Sequence, residues 1–371
     1  MKPRILIETI ALLIPLTGIG RYTLEISKRL RKDESFEYYY FYGFHSKELI
    51  LDQKESKLKR LKQLLKSIPV LKKMTRKIIN IISKFTQQKY DLYWQPNFIP
   101  NDTIKAKKIV TSVHDFSFIL YEKYHPKERI EHFKKYFFKN IYLSDAIITG
   151  SQYSKSEILE RLDFKDKDVH VIYHGIDHNI FHLYSNIELE FELPKKFLLS
   201  VGSIEPRKNL IGLLEAYSAL SNDIKEEYKL VLVGFKGWEN KEIMKLIEAN
   251  KENIIYLGFI TDQELAKVYN LASIFVFPSF YEGFGLPIIE AFACGTPVLS
   301  SNATSLPEVG GDAVLYCDPH DSKNIAEKLV LLIENSDLQN DLRVKGLERA
   351  KQFSWEKSAQ QHQALFERLL S

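Results

Sequence analysis

Two glutamates in the last third of the chain are separated by seven residues, in the stretch FPSFYEGFGLPIIEAFACGTPV (residues 277–298). Glu282 lies among glycines, and Glu290 is expected in the first turn of a helix, because Pro287 suits the start of one. Exposed backbone N–H groups in such a loop bind hydroxyl and phosphate oxygens. With two carboxylates they could hold a polyhydroxylated ligand, since each hydroxyl both donates and accepts. Taken alone, the pair fits equally well a solvated Glu282 and a Glu290 that only complements the helix dipole.

A second candidate site is the stretch SVGSIEPRKNL (residues 200–210). Gly202 follows a predicted strand, and Arg207 and Lys208 directly precede a helix predicted to begin near Asn209. Two adjacent cations beside a helix N-terminus can hold a diphosphate, through charge-assisted hydrogen bonds that contribute about 1.5–3 kcal/mol each. Without further context, an ordinary solvated loop with surface cations is the better explanation of these residues.

Short apolar runs rich in β-branched residues alternate with helical patterns, which predicts an α/β fold with parallel sheets. The first series of predicted strands covers residues 4–9, 38–44, 91–97, 108–115, 145–151 and 169–175. The second series covers residues 197–203, 228–235, 253–259, 273–279 and 296–302. Two Rossmann-like lobes would face each other, with the ligand in the cleft beyond the carboxyl ends of the strands.

The predicted first lobe spans residues 1–185 and the second lobe residues 186–353. Residues 178–196 show no regular period and are interpreted as the linker between the lobes. The final stretch, residues 354–371, predicts a helix that could pack on either lobe, including by a return to the first lobe.

The composition predicts a folded chain in a reducing compartment. Hydrophobic residues make up 45% and charged residues 27% of 371, which excludes general disorder and suits two or three domains. Two cysteines, Cys294 and Cys317, do not make a disulfide framework. The apolar run near the N-terminus is interrupted by Glu8, so we interpret it as a buried strand rather than a secretory signal. No uncharged apolar stretch approaches the roughly 20 residues that span a bilayer.

The net charge of +4 conceals one strongly basic segment. Residues 54–89 contain twelve Lys or Arg and one acid, Glu55, so this segment carries +11 and the rest of the chain −7. Within it, residues 57–85 have an apolar face at helical spacing, which Pro69 divides. We favour partial packing on the lobe, with the basic side against an anionic membrane surface; full packing with solvated lysines is the alternative. Nucleic acid is not expected, because no base-reading motif accompanies the charge.

The spacing of Glu282 and Glu290 resembles the signature of retaining glycosyltransferases of family 4, which have the two-lobed GT-B fold. The resemblance covers almost the whole chain. Among the subgroups of this family, the sequence is most similar to bacterial mannosyltransferases of O-antigen and exopolysaccharide assembly. Its other motifs are GIGRYTLEISKRL (18–30), SVHDFSF (112–118), GSIEPRKNL (202–210) and SLPEVGGDAVLYCDP (305–319). Thr304 and Ser305 stand where many relatives have paired glycines, which leaves the transferred sugar open.

The resemblance implies a role for each matching residue on the donor side. Arg207 and Lys208 would hold the donor diphosphate and neutralise the leaving group, with Gly202 beside them. Glu290 would bind the ribose hydroxyls, and Glu282 the transferred sugar. The loop amides that would share this sugar are those of Gly283, Phe284, Gly285 and Leu286.

On the acceptor side, the resemblance implies that Gly18 and Gly20 let the first loop approach the diphosphate or the acceptor. His114 would lie near the anomeric centre, where its ring or its carbonyl supports the developing oxocarbenium ion. Without the resemblance, His114 would be an ordinary histidine and Asp115 only a cap. Base contacts would come from the segment between Phe259 and Asp262. The catalytic candidates are therefore His114, Arg207, Lys208 and Glu282.

The resemblance also implies a front-face reaction in which the leaving diphosphate helps to deprotonate the acceptor. The expected donor is GDP-mannose and the expected acceptor a lipid-linked saccharide, at the cytoplasmic face of the membrane. No metal or other cofactor is expected, because two cations can neutralise the phosphates. A UDP- or ADP-sugar donor and a catalytically idle sugar-nucleotide-binding scaffold stay open. An oxidoreductase or a P-loop ATPase is disfavoured, because neither G-x-G-x-x-G nor G-x-x-x-x-G-K-[ST] occurs.

Overall fold

The computed structural model describes residues 2–13, 18–50, 89–237 and 240–371 of the chain. The basic segment at residues 57–85 lies outside these ranges, so its contact with a membrane stays a prediction. Within the described ranges, no helix combines the length and the apolar character that crossing a bilayer requires.

The first lobe is built on a seven-stranded sheet with the order β3-β2-β1-β4-β5-β6-β7. Its strands are β1 (Arg4–Glu8), β2 (Glu37–Phe41), β3 (His45–Ser46), β4 (Tyr90–Gln95), β5 (Ala106–Ser112), β6 (Ala146–Thr149) and β7 (Val169–Val171). Neighbouring strands run parallel, except that β2 and β3 pair antiparallel at the edge. The described helices are α1 (Gly18–Leu30), α2 (Ser117–Leu120), α3 (Lys127–Asn140) and α4 (Gln152–Arg161).

The second lobe has a parallel six-stranded sheet with the order β10-β9-β8-β11-β12-β13. Its strands are β8 (Phe197–Val201), β9 (Lys229–Val233), β10 (Ile254–Gly258), β11 (Ile274–Phe277), β12 (Val298–Ser301) and β13 (Val314–Cys317). The described helices are α5 (Leu210–Ser218), α6 (Asn222–Glu227), α7 (Lys241–Ala249), α8 (Asp262–Leu271), α9 (Leu286–Ala293), α10 (Leu306–Gly310), α11 (Ser322–Glu334) and α12 (Ser336–Ala350).

Burial on both faces explains why the strands read as continuous apolar runs. In β1, Ile5, Leu6 and Ile7 have no exposed surface, although successive side chains point to opposite faces of the sheet. Helices therefore cover both faces, as parallel sheets require. All eleven predicted strands are present. The apolar pattern does not predict β3, which has two residues, or β13, whose Leu315 and Tyr316 are only half-buried.

The C-terminal helix, α13 (Trp355–Leu370), packs on the first lobe against α1 and β4. Its Trp355 and Phe366 are buried in the same apolar cluster as Tyr22 and Trp94. The chain enters this helix beside Gly175, where an added Cβ would lie 2.1 Å from the Trp355 backbone nitrogen. The sequence left either lobe open for the final helix, and the structure places it on the first lobe.

Candidate active site

The turn after β8 fixes the positions of the two predicted cations. Pro206–Lys208 form one turn of 3-10 helix, and α5 begins after Asn209, which has a left-handed φ of 55°. Asn209 Oδ1 accepts from the Gly212 backbone N–H at 3.3 Å. Its Nδ2 donates to the carbonyls of Pro278 at 3.1 Å and Pro319 at 2.6 Å. One buried amide thus ties the cation turn to the loops after β11 and β13.

Glu282 accepts hydrogen bonds from both predicted cations. Lys208 Nζ lies 2.6 Å from Glu282 Oε1, and Arg207 Nη1 lies 3.0 Å from Oε2. Arg207 also donates to the Tyr281 carbonyl at 2.5 Å and to Glu205 at 2.9 Å. Burial by itself would raise the pKa of Glu282, but the charges of Arg207 and Lys208 outweigh it and lower the pKa to about 2. Glu282 is therefore charged at neutral pH.

Hydroxyl groups shape the loop that carries Glu282. Ser305 Oγ lies 2.9 Å from the Glu282 carbonyl oxygen and 3.0 Å from that of Phe284, so its single O–H is shared between them. Thr304 Oγ1 accepts from the Glu282 N–H at 3.1 Å. Thr304 and Ser305 are the residues that replace the paired glycines of many relatives. In this chain their hydroxyl groups form hydrogen bonds to the backbone of the loop that carries Glu282. The sequence did not predict these contacts.

His114 and the glutamate loop meet between the two lobes. A Cβ added at Gly283 would lie 2.0 Å from the His114 carbonyl oxygen, so this approach requires glycine. His114 is half-buried, and its Nε2 lies 2.8 Å from the Pro96 carbonyl oxygen. Because a carbonyl can only accept, Nε2 carries the proton. Burial lowers the pKa of His114 despite that hydrogen bond, which keeps the ring neutral at pH 7.

Helix α9 begins one residue earlier than the proline pattern predicts. Gly285 takes a left-handed φ of 110° as its N-cap, so Leu286 is already helical and Glu290 is the fifth residue of the helix. The prediction that Glu290 lies in the first turn is wrong. Gly285 adopts this left-handed backbone easily, so the helix begins at Leu286, before Pro287, and Glu290 falls just beyond the first turn. Glu290 therefore lies beyond the first turn, the turn in which the helix dipole stabilises a carboxylate most.

Glu290 is bound by a residue of the first lobe that the sequence analysis did not assign. Arg21 Nη1 lies 2.6 Å from Glu290 Oε1, and Arg21 Nη2 forms an ion pair with Asp262. Tyr269 Oη donates to Glu290 Oε2 at 3.2 Å. Burial raises the pKa of Glu290, and Arg21 offsets only part of that effect. The sequence does contain an indication of this role, because Arg21 directly follows the predicted glycines in the motif GIGRY.

Further contacts between the lobes involve residues whose roles the motifs do not reveal. Glu308 accepts from the backbone N–H groups of Gln152 at 2.7 Å and Tyr153 at 3.1 Å, at the start of α4. Tyr281 Oη donates to Glu157 at 2.5 Å and accepts from the Phe116 N–H at 2.8 Å. These contacts orient the loop after β5 against the loop after β11.

The remaining predicted residues lie around this junction. Gly18 is the first residue of α1, and a Cβ added there would be 4.0 Å from Leu286 of the second lobe. Gly20 is buried in the first turn of α1. Gly202, with φ of 153°, lies against the Lys208 side chain, so it is beside the cation turn as predicted. Phe259 follows β10 and is 68% exposed.

No group of three or more His, Cys, Asp or Glu side chains that could hold a metal ion occurs in the described ranges. The expectation that no metal takes part stays a prediction. The roles assigned to individual site residues likewise stay predictions, although the structure brings most of the residues to one junction.

Two family profiles match successive parts of the chain. Residues 16–180 match "Glycosyltransferase Family 4", and residues 185–349 match "Glycosyl transferases group 1". The chain is 34% identical to the O-antigen chain mannosyltransferase B of Escherichia coli, over 95% of this chain and 96% of that protein. It is also 36% identical to the serotype-specific mannosyltransferase WbdA of Escherichia coli, over 61% of this chain and 29% of that longer protein.

Solved structures agree on the fold. The chain superimposes on sucrose-phosphate synthase from Thermosynechococcus elongatus with a TM-score of 0.72 at 20% identity, covering 100% of this chain and 99% of that one. The TM-score is 0.68 at 16% identity for Anabaena Alr3699/HepE in complex with UDP-glucose, over 98% and 99% of the two chains. These likenesses confirm the predicted GT-B fold. With a relative at 34% identity over nearly its full length, the chain belongs to glycosyltransferase family 4 and is a glycosyltransferase.

Proposed function

We propose that this glycosyltransferase moves mannose from GDP-mannose to a lipid-linked saccharide, with retention, in the assembly of a cell-surface polysaccharide. The observation that carries the proposal is the approach of the Glu282 loop, which holds Arg207 and Lys208, to the His114 carbonyl of the other lobe. The mannosyltransferase names of the Escherichia coli relatives support the choice of sugar and of pathway class.

In the proposed reaction, Arg207 and Lys208 stabilise the diphosphate as it leaves. The bond between the anomeric carbon and the diphosphate oxygen breaks, and its electron pair stays on the diphosphate. Lys208 Nζ has three N–H donors and directs one of them to Glu282, so it can also donate to phosphate oxygens. A preorganised cation at this point stabilises the transition state more than the ground state, because the negative charge grows as the bond breaks.

His114 and Glu282 act on the sugar in this proposal. The acceptor hydroxyl attacks the anomeric carbon on the face from which the diphosphate departs, and its proton passes to a leaving phosphate oxygen. The carbonyl of His114 lies beside Gly283, where its dipole can stabilise positive charge on the anomeric carbon. Glu282 is charged and can accept hydrogen bonds from sugar hydroxyls while it orients the two cations.

We also propose that the enzyme works at the cytoplasmic face of the membrane. The support is the charge of +11 on residues 54–89, and the lipid-linked acceptor proposed above would lie at the same surface. Each cation near an anionic surface contributes about 1 kcal/mol to binding. Flotation with anionic liposomes tests this, and failure of the protein to float with them would contradict it.

A thermal-unfolding titration with GDP, UDP, ADP and their sugar conjugates tests the donor. A ligand at 100 times its Kd stabilises the folded state by about 2.7 kcal/mol. We expect stabilisation by GDP and GDP-mannose, lost in Lys208→Ala but kept in Lys251→Ala, because Lys251 is an exposed surface residue. Selective stabilisation by a UDP- or ADP-sugar would show that this sugar nucleotide, and not GDP-mannose, is the donor. Stabilisation by none of them would favour the idle scaffold.

The stereochemistry needs its own measurement. The anomeric proton of the product, followed by NMR from the first turnover, should show the configuration of the donor. An inverted product would contradict the front-face reaction even if GDP-mannose is the donor.

A further inference from the structure

A cavity of about 520 Å³ lies beside the cation turn and is lined by both lobes. Lys123 and Tyr124 of the first lobe contribute to it, and so do Pro206 and Asn209, which flank Arg207 and Lys208 in the chain. Its volume is in the range of small-molecule binding sites. His114, Arg207, Lys208 and Glu282 do not line it, so it adjoins the junction described above without including these four residues.

The cavity lies on the opposite side of the second sheet from the proposed ribose carboxylate. Helices α5 and α7, which line it, pack on the face of the sheet covered by Leu213, Leu214 and Ile243. Helix α9, which carries Glu290, packs on the other face through Ile288 and Ile289. A nucleotide held by Glu290 would therefore leave the cavity open to a second ligand.

An aromatic surface forms one wall of the cavity. The rings of Phe280 and His320 are stacked, with centroids 4.9 Å apart and an interplanar angle of 25°. The Phe280 N–H donates to the Arg207 carbonyl at 3.0 Å, so this surface is fixed to the backbone of the cation turn. Across the cavity, Tyr124 stacks with Tyr121 at 5.8 Å. Flat rings of this kind pack against the C–H faces of sugars, and the hydroxyl group of a tyrosine ring can stay in contact with water.

Carboxylates on two helices supply acceptors for hydroxyl groups. Glu215 of α5 and Glu242 of α7 are both exposed and both line the cavity. Carboxylates accept from sugar hydroxyls, whereas they repel phosphate. Lys123 is a single opposing cation. This combination of aromatic surface and acceptors fits a neutral saccharide better than a second nucleotide.

We propose that this cavity is an acceptor subsite, which holds sugar units of the growing saccharide that lie next to the unit receiving the transfer. The proposal rests on the proposed function, since a donor site alone needs no second saccharide. Contact with both lobes and with the cation turn would place a bound chain at the mouth of the cleft. The subsite would make the enzyme prefer an acceptor of several sugars to a single one.

Direct binding of a mannose oligosaccharide without lipid, followed by NMR saturation transfer and by calorimetry, tests the subsite. We expect Phe280→Ala and Glu242→Gln each to raise its Kd about tenfold, the effect of losing one good contact. The matched control is Glu248→Gln, which removes an exposed carboxylate from the same helix outside the cavity. Because Glu242 is exposed, its variant is expected to fold even if Phe280→Ala does not.

Separate readouts distinguish the two proposals. Thermal stabilisation by GDP and GDP-mannose should be unchanged in both cavity variants, while transfer to a long acceptor should fall more than transfer to a monosaccharide. Oligosaccharide affinity that is equal in Glu242→Gln, Phe280→Ala and Glu248→Gln would overturn the subsite and leave the donor proposal intact. Absence of any nucleotide effect in the wild-type protein would instead contradict the proposed function, and with it the assignment of the cavity to an acceptor.

Discussion

Glu282 and Glu290 belong to the same loop-and-helix segment and are buried to nearly the same degree, with 8% and 5% of their surfaces exposed. Their pKa values nevertheless shift in opposite directions. The pKa of Glu282 is lowered to about 2, whereas the pKa of Glu290 is raised. Burial raises both, so burial cannot explain the difference.

The source of the counter-charge explains it. Glu282 lies between Arg207 and Lys208, two cations of its own lobe. Glu290 shares one guanidinium, that of Arg21, with Asp262, and Arg21 belongs to the other lobe. The comparison teaches that the Glu282 cluster is complete within the second lobe, while the charge on Glu290 depends on how the first lobe docks.

Removal of a cation from the Glu282 cluster should have the largest effect. We expect Arg207→Ala or Lys208→Ala to reduce the rate of transfer about 10²–10³-fold, as loss of one preorganised transition-state donor typically does. The measurement is the steady-state rate at saturating donor. Lys251→Ala, an exposed cation, serves as the control. A wild-type rate in both variants would remove the cations from the mechanism.

The pH dependence of stability should reveal the charge on Glu282. Its folded-state pKa of about 2 lies below the ordinary 4.5, so its charge stabilises the folded protein above pH 4.5 and this contribution is lost as pH falls toward 2. The shift corresponds to roughly 3 kcal/mol at neutral pH. We expect the free energy of unfolding of Glu282→Gln to fall short of wild type at pH 7, with the gap narrowing below pH 4.5. If the difference in free energy of unfolding did not change with pH, Arg207 and Lys208 would not be the cause of a lowered pKa at Glu282.

Arg21→Ala should destabilise the protein less. We expect a loss of about 2 kcal/mol, below the usual cost of breaking a fully buried pair because the Arg21 side chain is 26% exposed. Without Arg21, the pKa of Glu290 should rise further. An acid with a raised pKa loses stability as pH rises, so chemical denaturation should show the largest deficit at neutral pH and little below pH 4.5.

A double variant sharpens that result. Adding Glu290→Gln to Arg21→Ala removes the uncompensated carboxylate, so part of the lost stability should return. If the two substitutions are simply additive, the contact between Arg21 and Glu290 is not what sets the pKa of Glu290.

Ser305→Ala should have the smallest effect. The single O–H of Ser305 is shared between two carbonyls of the glutamate loop, so its removal should cost about 1–2 kcal/mol of stability. The rate should fall less than in Lys208→Ala, because both cations remain. Thermal unfolding and steady-state kinetics check the two parts. A rate as low as that of Lys208→Ala would mean that the loop geometry, rather than the cations, limits transfer.

The amino-acid sequence by itself determined the elements and the chemistry of the candidate site. Apolar runs such as Ile5–Ile7 predict buried strands, because both faces of a parallel sheet are covered. The order glycine, cations, helix around Arg207 and Lys208 offers an anion site from local backbone rules, and the family motifs favour that interpretation over a solvated loop. The motifs also predicted the family correctly, since they match in type and spacing along nearly the whole chain.

Only the tertiary structure decided which charges meet. Arg21 and Glu290 are separated by 269 positions, and their contact depends on how the two lobes dock. The same is true of the His114 carbonyl against Gly283, and of Phe280 against His320 in the cavity wall. Secondary structure follows from interactions within a few residues, and periodicity records it. Contacts between lobes arise from the packing of whole surfaces, which leaves no periodic trace at the residues that finally touch.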